Sequence, residues 1–241
     1  MSGDEKSVLL QLDNVCLDYH PGKSRPDQLV LDSVSLALYR GETLGVIGKN
    51  GCGKTTILRV MAGILAPTSG VVQASSGVTS SLLTIGLGFR ADLSGRDNAL
   101  LSAMLQGSSR AEAEALLEEI KEFSELGQSF EEPVKSYSSG MRARLGFTTA
   151  LITHVDILLV DEILSVGDAH FRQKAQTAMK DRIGGDQTVV FVSHNDSQVQ
   201  DLCDRAIWLN DAKIAAQGDV SDVLVEYRNH INALNLVKQT P

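Results

Sequence analysis

A glycine-rich segment between an apolar run and a helical pattern constrains the fold more than any other feature of the sequence. Residues 43–48, TLGVIG, suit a short buried strand, residues 48–55 read GKNGCGKT, and residues 54–65 suit a helix. This spacing is typical of a phosphate-binding loop, in which glycines let backbone N–H groups turn onto a phosphate. Lys54 then reaches the β- and γ-phosphate oxygens, and Thr55 ligates Mg²⁺. The predicted nucleotide-binding residues of this segment are Gly48, Asn50, Gly51, Cys52, Gly53, Lys54, Thr55 and Thr56.

Two further strand ends carry polar side chains that suit nucleotide hydrolysis. Residues 155–162, VDILLVDE, predict a buried strand ending in two acids, and residues 188–194, TVVFVSH, predict another ending in a histidine. Beside a phosphate loop, Asp161 would hold Mg²⁺ through water, and Glu162 would orient or deprotonate the attacking water. His194 would face the γ-phosphate from a neighbouring strand. The alternatives are solvated acids at a strand end and a histidine at the edge of the core. The predicted catalytic residues are Lys54, Glu162 and His194, and the predicted metal ligands are Thr55 and Asp161.

The bulk composition excludes several classes of protein. With 241 residues and 43% hydrophobic content, the chain can fill a core. It contains no apolar run of the roughly 20 residues that cross a bilayer. The N-terminal sequence lacks the basic-then-apolar order of a signal peptide, so we expect a cytoplasmic protein. The net charge of −8 opposes binding to nucleic acid, and we expect no such partner.

The cysteines predict no covalent framework. Cys16, Cys52 and Cys203 are too few and too scattered for disulfides or a metal site, so we expect free thiols. Cys52 lies at the start of a predicted helix, where a thiolate is favoured, and this predicts a reactive thiol when the site is empty. The alternative is a small residue that fills an unconstrained position in the loop.

The remaining patterns predict an α/β chain with a β-rich start. Alternating apolar residues predict two antiparallel strands in residues 7–19 and 29–41, and residues 91–153 are mostly helical in pattern. Residues 110–123 predict one acidic helix with a solvated face, and residues 73–81 predict a polar loop. The rest of the chain predicts a helix at 170–183, a hairpin over 205–218 that turns at Asn210 and Asp211, and a final helix at 219–236.

Residues 136–145, SYSSGMRARL, place small hydroxyl residues and a glycine directly ahead of a predicted helix. Alone, this pattern is typical of a helix N-cap. In their order, this segment and the motifs above resemble the nucleotide-binding domain of ATP-binding cassette (ABC) transporters over nearly the whole chain. The resemblance implies an α/β phosphate-loop (P-loop) ATPase with a RecA-like core, an antiparallel β subdomain and an inserted α-helical subdomain at about 91–153. It also implies a single domain over 1–241 with a C-terminal helix at about 219–236 and no added carbohydrate-binding domain.

Residues 137–141, YSSGM, match the signature of that family. The resemblance implies that Ser138, Ser139 and Gly140 contact the γ-phosphate of an ATP held by a second subunit, at a helix start whose dipole favours an anion. Ser139 and Met141 replace the family's usual Gly and Gln. Because neither subunit then builds a complete site, the resemblance implies a head-to-tail homodimer in the ATP-bound state, with ATP and Mg²⁺ as its cofactors.

Further positions match the family residue by residue. Tyr19 matches the aromatic that stacks on adenine, although an ordinary strand-end tyrosine is the alternative. Asp168, in SVGD at 165–168, matches the loop that couples the two ATP sites, and His194 matches the switch histidine. Arg90 stands where the family has a metal-contacting glutamine. An arginine cannot copy the contact of a neutral amide to Mg²⁺ or to the lytic water.

Three segments resemble a narrower subfamily. Residues 88–98, 137–145 and 166–176 are similar to ATPases that export capsular polysaccharides, O-antigens and teichoic acids across the bacterial inner membrane. The resemblance implies a peripheral subunit on the cytoplasmic face, two copies paired with two permease subunits, and a lipid-linked glycan as cargo. We expect the permease contact near residues 90–98. The alternatives are a non-transport cassette ATPase associated with ribosomes or DNA, an exporter of another cargo, and a regulatory module without turnover.

Overall fold

The structure of the chain is a computed structural model. It describes residues 7–19, 29–83, 86–161 and 168–238, with side chains described as far as Leu234. The described residues form two compact units. Unit 1 contains those within 1–78, 159–162 and 183–241, and unit 2 contains those within 79–158 and 163–182.

The described residues begin with three strands, contain a run of helices in the middle and end on a helix. In chain order they are β1 (Val8–Asp18), β2 (Leu29–Tyr39), β3 (Thr43–Ile47), α1 (Lys54–Met61), β4 (Ser69–Ala74), β5 (Ser80–Leu82), α2 (Gly95–Leu105), α3 (Arg110–Ala115), α4 (Leu117–Ser124), α5 (Ser139–Ile152), β6 (Ile157–Asp161), α6 (Ala169–Ile183), β7 (Thr188–Val192), α7 (Asp196–Leu202), β8 (Arg205–Asn210), β9 (Lys213–Asp219) and α8 (Val220–Lys238). Within the described ranges, no helix is both long enough and apolar enough to cross a bilayer.

Unit 1 begins with an antiparallel sheet in the order β2-β1-β4. In the central strand, Leu10 and Leu12 are buried while Gln11 between them is exposed, and β1 pairs antiparallel with β2. The predicted antiparallel pair is therefore confirmed. The predicted loop at 73–81 is wrong at both ends, because its first residues complete β4 and its last residues begin β5. The side chains of β4 are mostly exposed, so backbone pairing with β1 forms this strand without an apolar pattern.

A second sheet of unit 1 runs in the order β6-β7-β3-β8-β9, and residues 159–161 of β6 belong to it. Strand β3 pairs in parallel with β7 and β8, and β9 pairs antiparallel with β8. Strands β3 and β7 are buried along their whole length, as expected for strands covered on both faces. Since Val46 pairs with Val192, the loops after β3 and β7 leave the sheet at one edge. That edge carries the glycine-rich loop and His194.

The helix after the glycine-rich loop is shorter than predicted. It ends at Met61 rather than at residue 65, since Gly63 adopts a left-handed φ of 68°. The Ile64 N–H donates to the Arg59 carbonyl at 2.9 Å, which is the long bond of a Schellman ending. The following chain is thereby turned out of the helix.

The β8–β9 hairpin turns one residue later than predicted. The two positive-φ residues are Asp211, at 46°, and Ala212, at 67°, and Asn210 pairs with Lys213 across the turn. The predicted turn at Asn210 and Asp211 is therefore wrong by one position. The Ala212 carbonyl accepts the Asp32 N–H at 2.8 Å, so contact with β2 fixes the position of the turn.

Unit 2 contains helices α2 to α6 and strand β5. Helices α2 to α5 occupy 95–152 and enclose a core that includes Ile120, Phe130 and Leu145, all fully buried. The apolar residues in the predicted helical region thus form a core within unit 2.

The single acidic helix predicted at 110–123 is wrong. The structure has α3 and α4 with a break at Leu116. The Leu116 N–H donates to the Ala113 carbonyl, three residues back, at 3.3 Å. The chain therefore tightens into one 3-10 turn before α4 begins.

Candidate functional site

Tight backbone packing fixes the glycine-rich loop after β3. At Gly48, φ is 149° and a β-carbon would contact the Leu209 carbonyl oxygen. At Gly53, φ is 108° and a β-carbon would lie 2.6 Å from the Val30 carbonyl oxygen. Any larger residue would push the backbone apart at either end of the loop, which explains the glycine spacing of the sequence.

Lys54 closes this loop from inside. Its ammonium group donates to the carbonyl oxygens of Gly48 at 2.8 Å and Lys49 at 2.9 Å, and the residue is 7% exposed. Gly53 is the N-cap of α1, and no side chain within the described ranges caps that end. The first-turn N–H groups and the positive end of the helix dipole therefore accompany a buried ammonium. This arrangement suits a phosphate group.

The loop lines a cavity of about 390 Å³, here named the P-loop cavity. Thr55 and Asp161 meet in it, where Thr55 Oγ1 donates to Asp161 Oδ2 at 2.6 Å. His194, which follows β7, lines the same cavity. The structure thus brings the predicted metal ligands Thr55 and Asp161 and the predicted catalytic residue His194 together around Lys54. The remaining lining residues are Val30, Asn50, Gly51, Gly53 and Thr56.

The Thr55–Asp161 pair fits a magnesium ion. A hydroxyl and a carboxylate supply hard oxygen ligands, and Mg²⁺ is usually held by one or two protein groups together with phosphate oxygens and water. The two oxygen atoms already lie within hydrogen-bond distance of each other. Glu162, predicted to activate the attacking water, lies outside the described residues.

A larger cavity of about 980 Å³ adjoins the same loop, and we name it the α8 cavity because α8 contributes to its lining. Tyr19, just past the end of β1, lines this cavity and is 45% exposed. Its hydroxyl lies 3.1 Å from Thr56 Oγ1 in α1. The predicted adenine-stacking residue therefore lies beside the P-loop.

The structure opposes the predicted ionisation of Cys52, whose reactivity stays a prediction. Burial raises the pKa of the Cys52 thiol, and this effect outweighs the opposing charge of Lys54. The alternative, a small residue that fills the loop, agrees with a sulfur packed closely against Gly48. As predicted, Cys16, Cys52 and Cys203 are all free thiols.

The signature segment of unit 2 starts a helix, as predicted. Ser138 is the N-cap of α5, and its Oγ accepts the Met141 N–H at 3.2 Å. Ser138 and Ser139 are exposed, and a β-carbon at Gly140 would have Ser138 Oγ 3.8 Å away. The first turn of α5 carries no acidic residue. This helix start is therefore open to an anion, and its contact with a phosphate stays a prediction.

Asp168 and Arg90 also belong to unit 2. Asp168 Oδ1 accepts the Phe171 N–H at 2.9 Å at the start of α6, and this bond lowers the pKa of the Asp168 carboxyl. Residues 165–167, which precede it in the predicted coupling loop, lie outside the described residues. The Arg90 side chain is exposed, while the Arg90 N–H donates to Asn98 Oδ1 at 2.6 Å. The nucleotide role of Asp168 stays a prediction, and Arg90 keeps the position of the metal-contacting glutamine without its amide.

Two residues of structural interest, Asn98 and His230, were not among the predicted site residues. Asn98 is 1% exposed, and its amide donates to the carbonyls of Leu93 at 3.1 Å and Ser94 at 2.8 Å. An asparagine inside a predicted helix is the signal that indicates such a role. His230 of α8 lines the α8 cavity together with Tyr19. No motif marks His230, because its position depends on how α8 packs.

The family model described as "ABC transporter" matches residues 31–165, which is more than half of the chain. The chain belongs to this family. The matched range contains the P-loop, the signature segment and Asp161. Membership in the ABC family implies ATP binding.

Among curated proteins, the chain is similar to ATP-binding proteins of O-antigen and teichoic acid export systems. The chain is 43% identical over 212 residues to the O-antigen export system ATP-binding protein RfbB of Myxococcus xanthus, covering 87% of this chain and 48% of that protein. It is 40% identical over 206 residues to the teichoic acids export ATP-binding protein TagH of Shouchella clausii, covering 86% and 57%. It is 40% identical over 200 residues to an RfbB of Klebsiella pneumoniae, covering 83% and 81%. The chain thus spans about half the length of the first two relatives. These relatives confirm the predicted resemblance to polysaccharide exporters.

Solved structures share the fold. A dimeric, post-hydrolysis ATP-binding cassette bound to ADP and phosphate superposes with a TM-score of 0.68 at 21% identity, covering 88% of this chain and 99% of that one. The ATP-binding subunit of an ABC transporter gives a TM-score of 0.73 at 20% identity, covering 91% and 93%. These likenesses confirm the predicted fold class, an α/β cassette with an antiparallel sheet and a helical part.

Proposed function

We propose that the chain is the ATP-hydrolysing subunit of an ABC exporter that moves a lipid-linked polysaccharide across the bacterial inner membrane. The observation that carries this proposal is the P-loop cavity, where Lys54, the Thr55–Asp161 pair and His194 converge. The relatives are export ATP-binding proteins for O-antigen and teichoic acids, which supports a glycan of that class as the cargo. Their names do not favour a ribosome- or DNA-associated ATPase.

In the proposed reaction, residues of this chain bind and orient the triphosphate of ATP. Lys54 exchanges its two loop carbonyls for β- and γ-phosphate oxygens, while the first turn of α1 donates N–H groups to the same anion. Thr55 and Asp161 hold Mg²⁺, which neutralises phosphate charge when bound. His194 donates to a γ-phosphate oxygen, and Glu162 orients the attacking water and takes its proton. The water oxygen bonds to the γ-phosphorus as the bond to the bridging oxygen breaks, which yields ADP and phosphate.

A second copy of the chain completes each site in this proposal. Ser138, Ser139 and Gly140 of one copy contact the γ-phosphate held by the other. The exposed N-terminus of α5, without an acid in its first turn, supports this role. Asp168 lies in the loop that couples the two sites, and Tyr19 stacks on the adenine.

The permease contact is proposed for residues 90–98, as expected from the sequence, together with the adjoining exposed apolar face of α2 in unit 2. Leu101, Met104 and Leu105 are exposed at helical spacing on that face, and Leu105 is 62% exposed. Exposed apolar side chains that share a face are typical of interaction surfaces. The adjoining loop is held by the Arg90–Asn98 bonds, so the surface is presented in a defined shape. An amphipathic helix of the permease on the cytoplasmic face of the inner membrane fits this surface.

The experiment that tests the proposal replaces Glu162 with Gln in the sole copy carried by the organism. We expect surface glycan to fall while lipid-linked glycan accumulates inside the cell. The matched control is Glu132→Gln, because Glu132 is exposed in unit 2 and belongs to no part of the proposed site. Unchanged surface glycan, with the variant shown to be expressed, would overturn the polysaccharide cargo. Absence of ATP hydrolysis by the purified wild-type chain with its permease would overturn the ATPase itself.

A further inference from the structure

The α8 cavity adjoins the P-loop cavity, and the two share lining residues. Val30, Asn50 and Gly51 line both cavities. The P-loop cavity measures about 390 Å³ and the α8 cavity about 980 Å³. Ligand pockets for small molecules occupy roughly 300–1,000 Å³. A nucleotide whose phosphates fill the smaller cavity therefore has a ready space for its base and ribose in the larger one.

Helix α8 packs against the other elements of unit 1, so its side chains line this space in defined positions. Val223 and Leu224 are buried in a cluster with Ile47 of β3. Arg228 Nε donates to Asp196 Oδ2 of α7 at 2.9 Å. The segment of α8 that follows Arg228 is thereby anchored next to the P-loop.

His230 is the aromatic residue that α8 contributes to the cavity. Its ring packs against Trp208 of β8, with centroids 5.0 Å apart and the planes tilted by 56°. Trp208 is itself packed edge-on against Tyr227, at 5.8 Å. The cavity is therefore lined by two aromatic rings, Tyr19 just past β1 and His230 of α8, and the second packs against a buried indole.

The charges of the α8 cavity suit a nucleoside better than a further phosphate. The carboxylates of Asp18 and Asp211 line it together with Lys49. Carboxylates repel a second phosphate group but accept hydrogen bonds from ribose hydroxyls and from an exocyclic amine. Aromatic rings supply the flat contact that a purine base favours.

We propose that His230 is a further nucleotide-binding residue, whose ring contacts the base of the nucleotide that the P-loop holds by its phosphates. This inference rests on the proposed function only in taking an adenine nucleotide as the ligand. It makes helix α8 part of the nucleotide site, in addition to the P-loop and Tyr19.

The test compares ADP with inorganic pyrophosphate, because the two share a diphosphate and differ by the nucleoside. ADP avoids hydrolysis and the closure expected with ATP. Calorimetry on the full chain measures both affinities, and the chain's single tryptophan, Trp208, reports on its neighbour His230. We expect ADP to change Trp208 emission, whereas pyrophosphate leaves the emission unchanged at saturation.

Three variants test whether the affinity that ADP gains from its nucleoside depends on His230. His230→Ala should weaken ADP binding roughly three- to tenfold and leave pyrophosphate binding unchanged, since a ring contact of this kind is lost. His230→Phe keeps a ring against Trp208 and should restore ADP affinity to within about twofold. His154→Ala, at an exposed histidine of unit 2, is the matched control and should alter neither affinity. Thermal unfolding of each variant checks that α8 stays folded.

The outcomes separate this inference from the proposed function. If His230→Ala binds ADP normally and ADP leaves the emission of Trp208 unchanged, the role of His230 is overturned. The ATPase proposal would stay intact. Equal weakening of ADP and pyrophosphate would also overturn it, because His230 would then act on the P-loop rather than on the base. Failure of the wild-type chain to bind ADP at all would instead overturn the nucleotide site on which both proposals depend.

Discussion

The two segments proposed to bind phosphate are built in opposite ways. In unit 1, the polar groups of the P-loop are paired internally: Lys54 donates to loop carbonyls, and Thr55 donates to Asp161. In unit 2, the start of α5 is exposed, and Ser138 satisfies a single N–H of its own helix. The P-loop is thus closed on itself, whereas the start of α5 is open and needs a partner from outside unit 2.

This difference assigns the two segments different shares of the binding energy. A nucleotide at the P-loop gives the Lys54 ammonium anionic phosphate oxygens in place of neutral carbonyl oxygens, and an ion pair of this kind is stronger than a bond to a neutral acceptor. A phosphate at an exposed helix start gains only about 0.3–1 kcal/mol from the dipole. We therefore expect the P-loop to hold the nucleotide and the start of α5 to contribute mainly when two copies close on it.

The largest expected effect comes from removing the internal cation of the P-loop. Lys54→Ala should weaken ADP binding by at least about 100-fold, because two hydrogen bonds to a charged group are each worth about 1.5–3 kcal/mol. ATP hydrolysis should fall below detection. Calorimetry and phosphate release provide the measurements. Lys180→Ala, at an exposed lysine of α6, is the control, and a Lys54→Ala protein that binds ADP normally would break the comparison.

The sequence predicted the P-loop because its geometry requires glycine at fixed positions. Gly48 and Gly53 have positive φ values and leave no room for a β-carbon, so the glycine spacing alone reveals the loop. The same reasoning fails for Cys52. A helix start favours its thiolate, but packing by distant parts of the chain buries the sulfur and raises its pKa. His230 was beyond prediction for the same reason, since its place in the cavity depends on the packing of α8.

The sequence analysis also failed to predict features that no hydrophobic pattern marks. Strand β4 has mostly exposed side chains and is formed by backbone pairing with β1, so no apolar alternation indicates it. The break at Leu116 separates α3 from α4 through one tightened hydrogen bond, and the acidic pattern continues across it. Periodicity therefore predicts which segments are regular, while contacts with other segments decide where each one ends.

The second prediction concerns the Thr55–Asp161 pair. Thr55→Val removes the hydroxyl without changing the shape of the side chain, and it should raise the Mg²⁺ concentration needed for half-maximal hydrolysis. The change should exceed the roughly 10–100-fold typical of losing an outer-shell partner, because a direct ligand is lost. Thr55→Ser keeps the hydroxyl and serves as the matched control. Equal Mg²⁺ dependence in both variants would show that the Thr55 hydroxyl is not a ligand.

The third prediction separates the two roles of Ser138. Ser138→Ala should lower the free energy of unfolding by about 1 kcal/mol through loss of the N-cap. Ser138→Asp retains an N-cap acceptor and should keep that stability, yet its carboxylate should repel a phosphate and abolish ATP-dependent dimerisation. Light scattering with ATP in a Glu162→Gln background measures the dimer.

The control for Ser138→Asp is Ser109→Asp. Ser109 caps α3 in the same unit, where its Oγ accepts the Glu112 N–H at 3.3 Å. This variant adds the same charge at another helix start and should leave dimerisation unchanged. A dimer that forms normally with Ser138→Asp would remove the start of α5 from the proposed ATP site and leave its role as a cap.

The smallest expected effect is a difference in labelling rate among the three thiols, and it tests whether the P-loop is closed in solution. The Ser33 N–H donates to Cys16 Sγ at 3.2 Å and lowers the pKa of Cys16, so more of this thiol is ionised at neutral pH. Burial raises the pKa of Cys52 and brings that of Cys203 to about 12, so both are less ionised. Since the thiolate is the reactive form, a maleimide at pH 7.5 should label Cys16 first, Cys52 at least about tenfold more slowly and Cys203 last.

Mass spectrometry of the labelled peptides gives the three rates, and a Cys16→Ser variant isolates the slower two. Cys52 labelling as fast as Cys16 would mean that the P-loop opens readily without a nucleotide, and its internal bonds would then no longer distinguish it from the open start of α5.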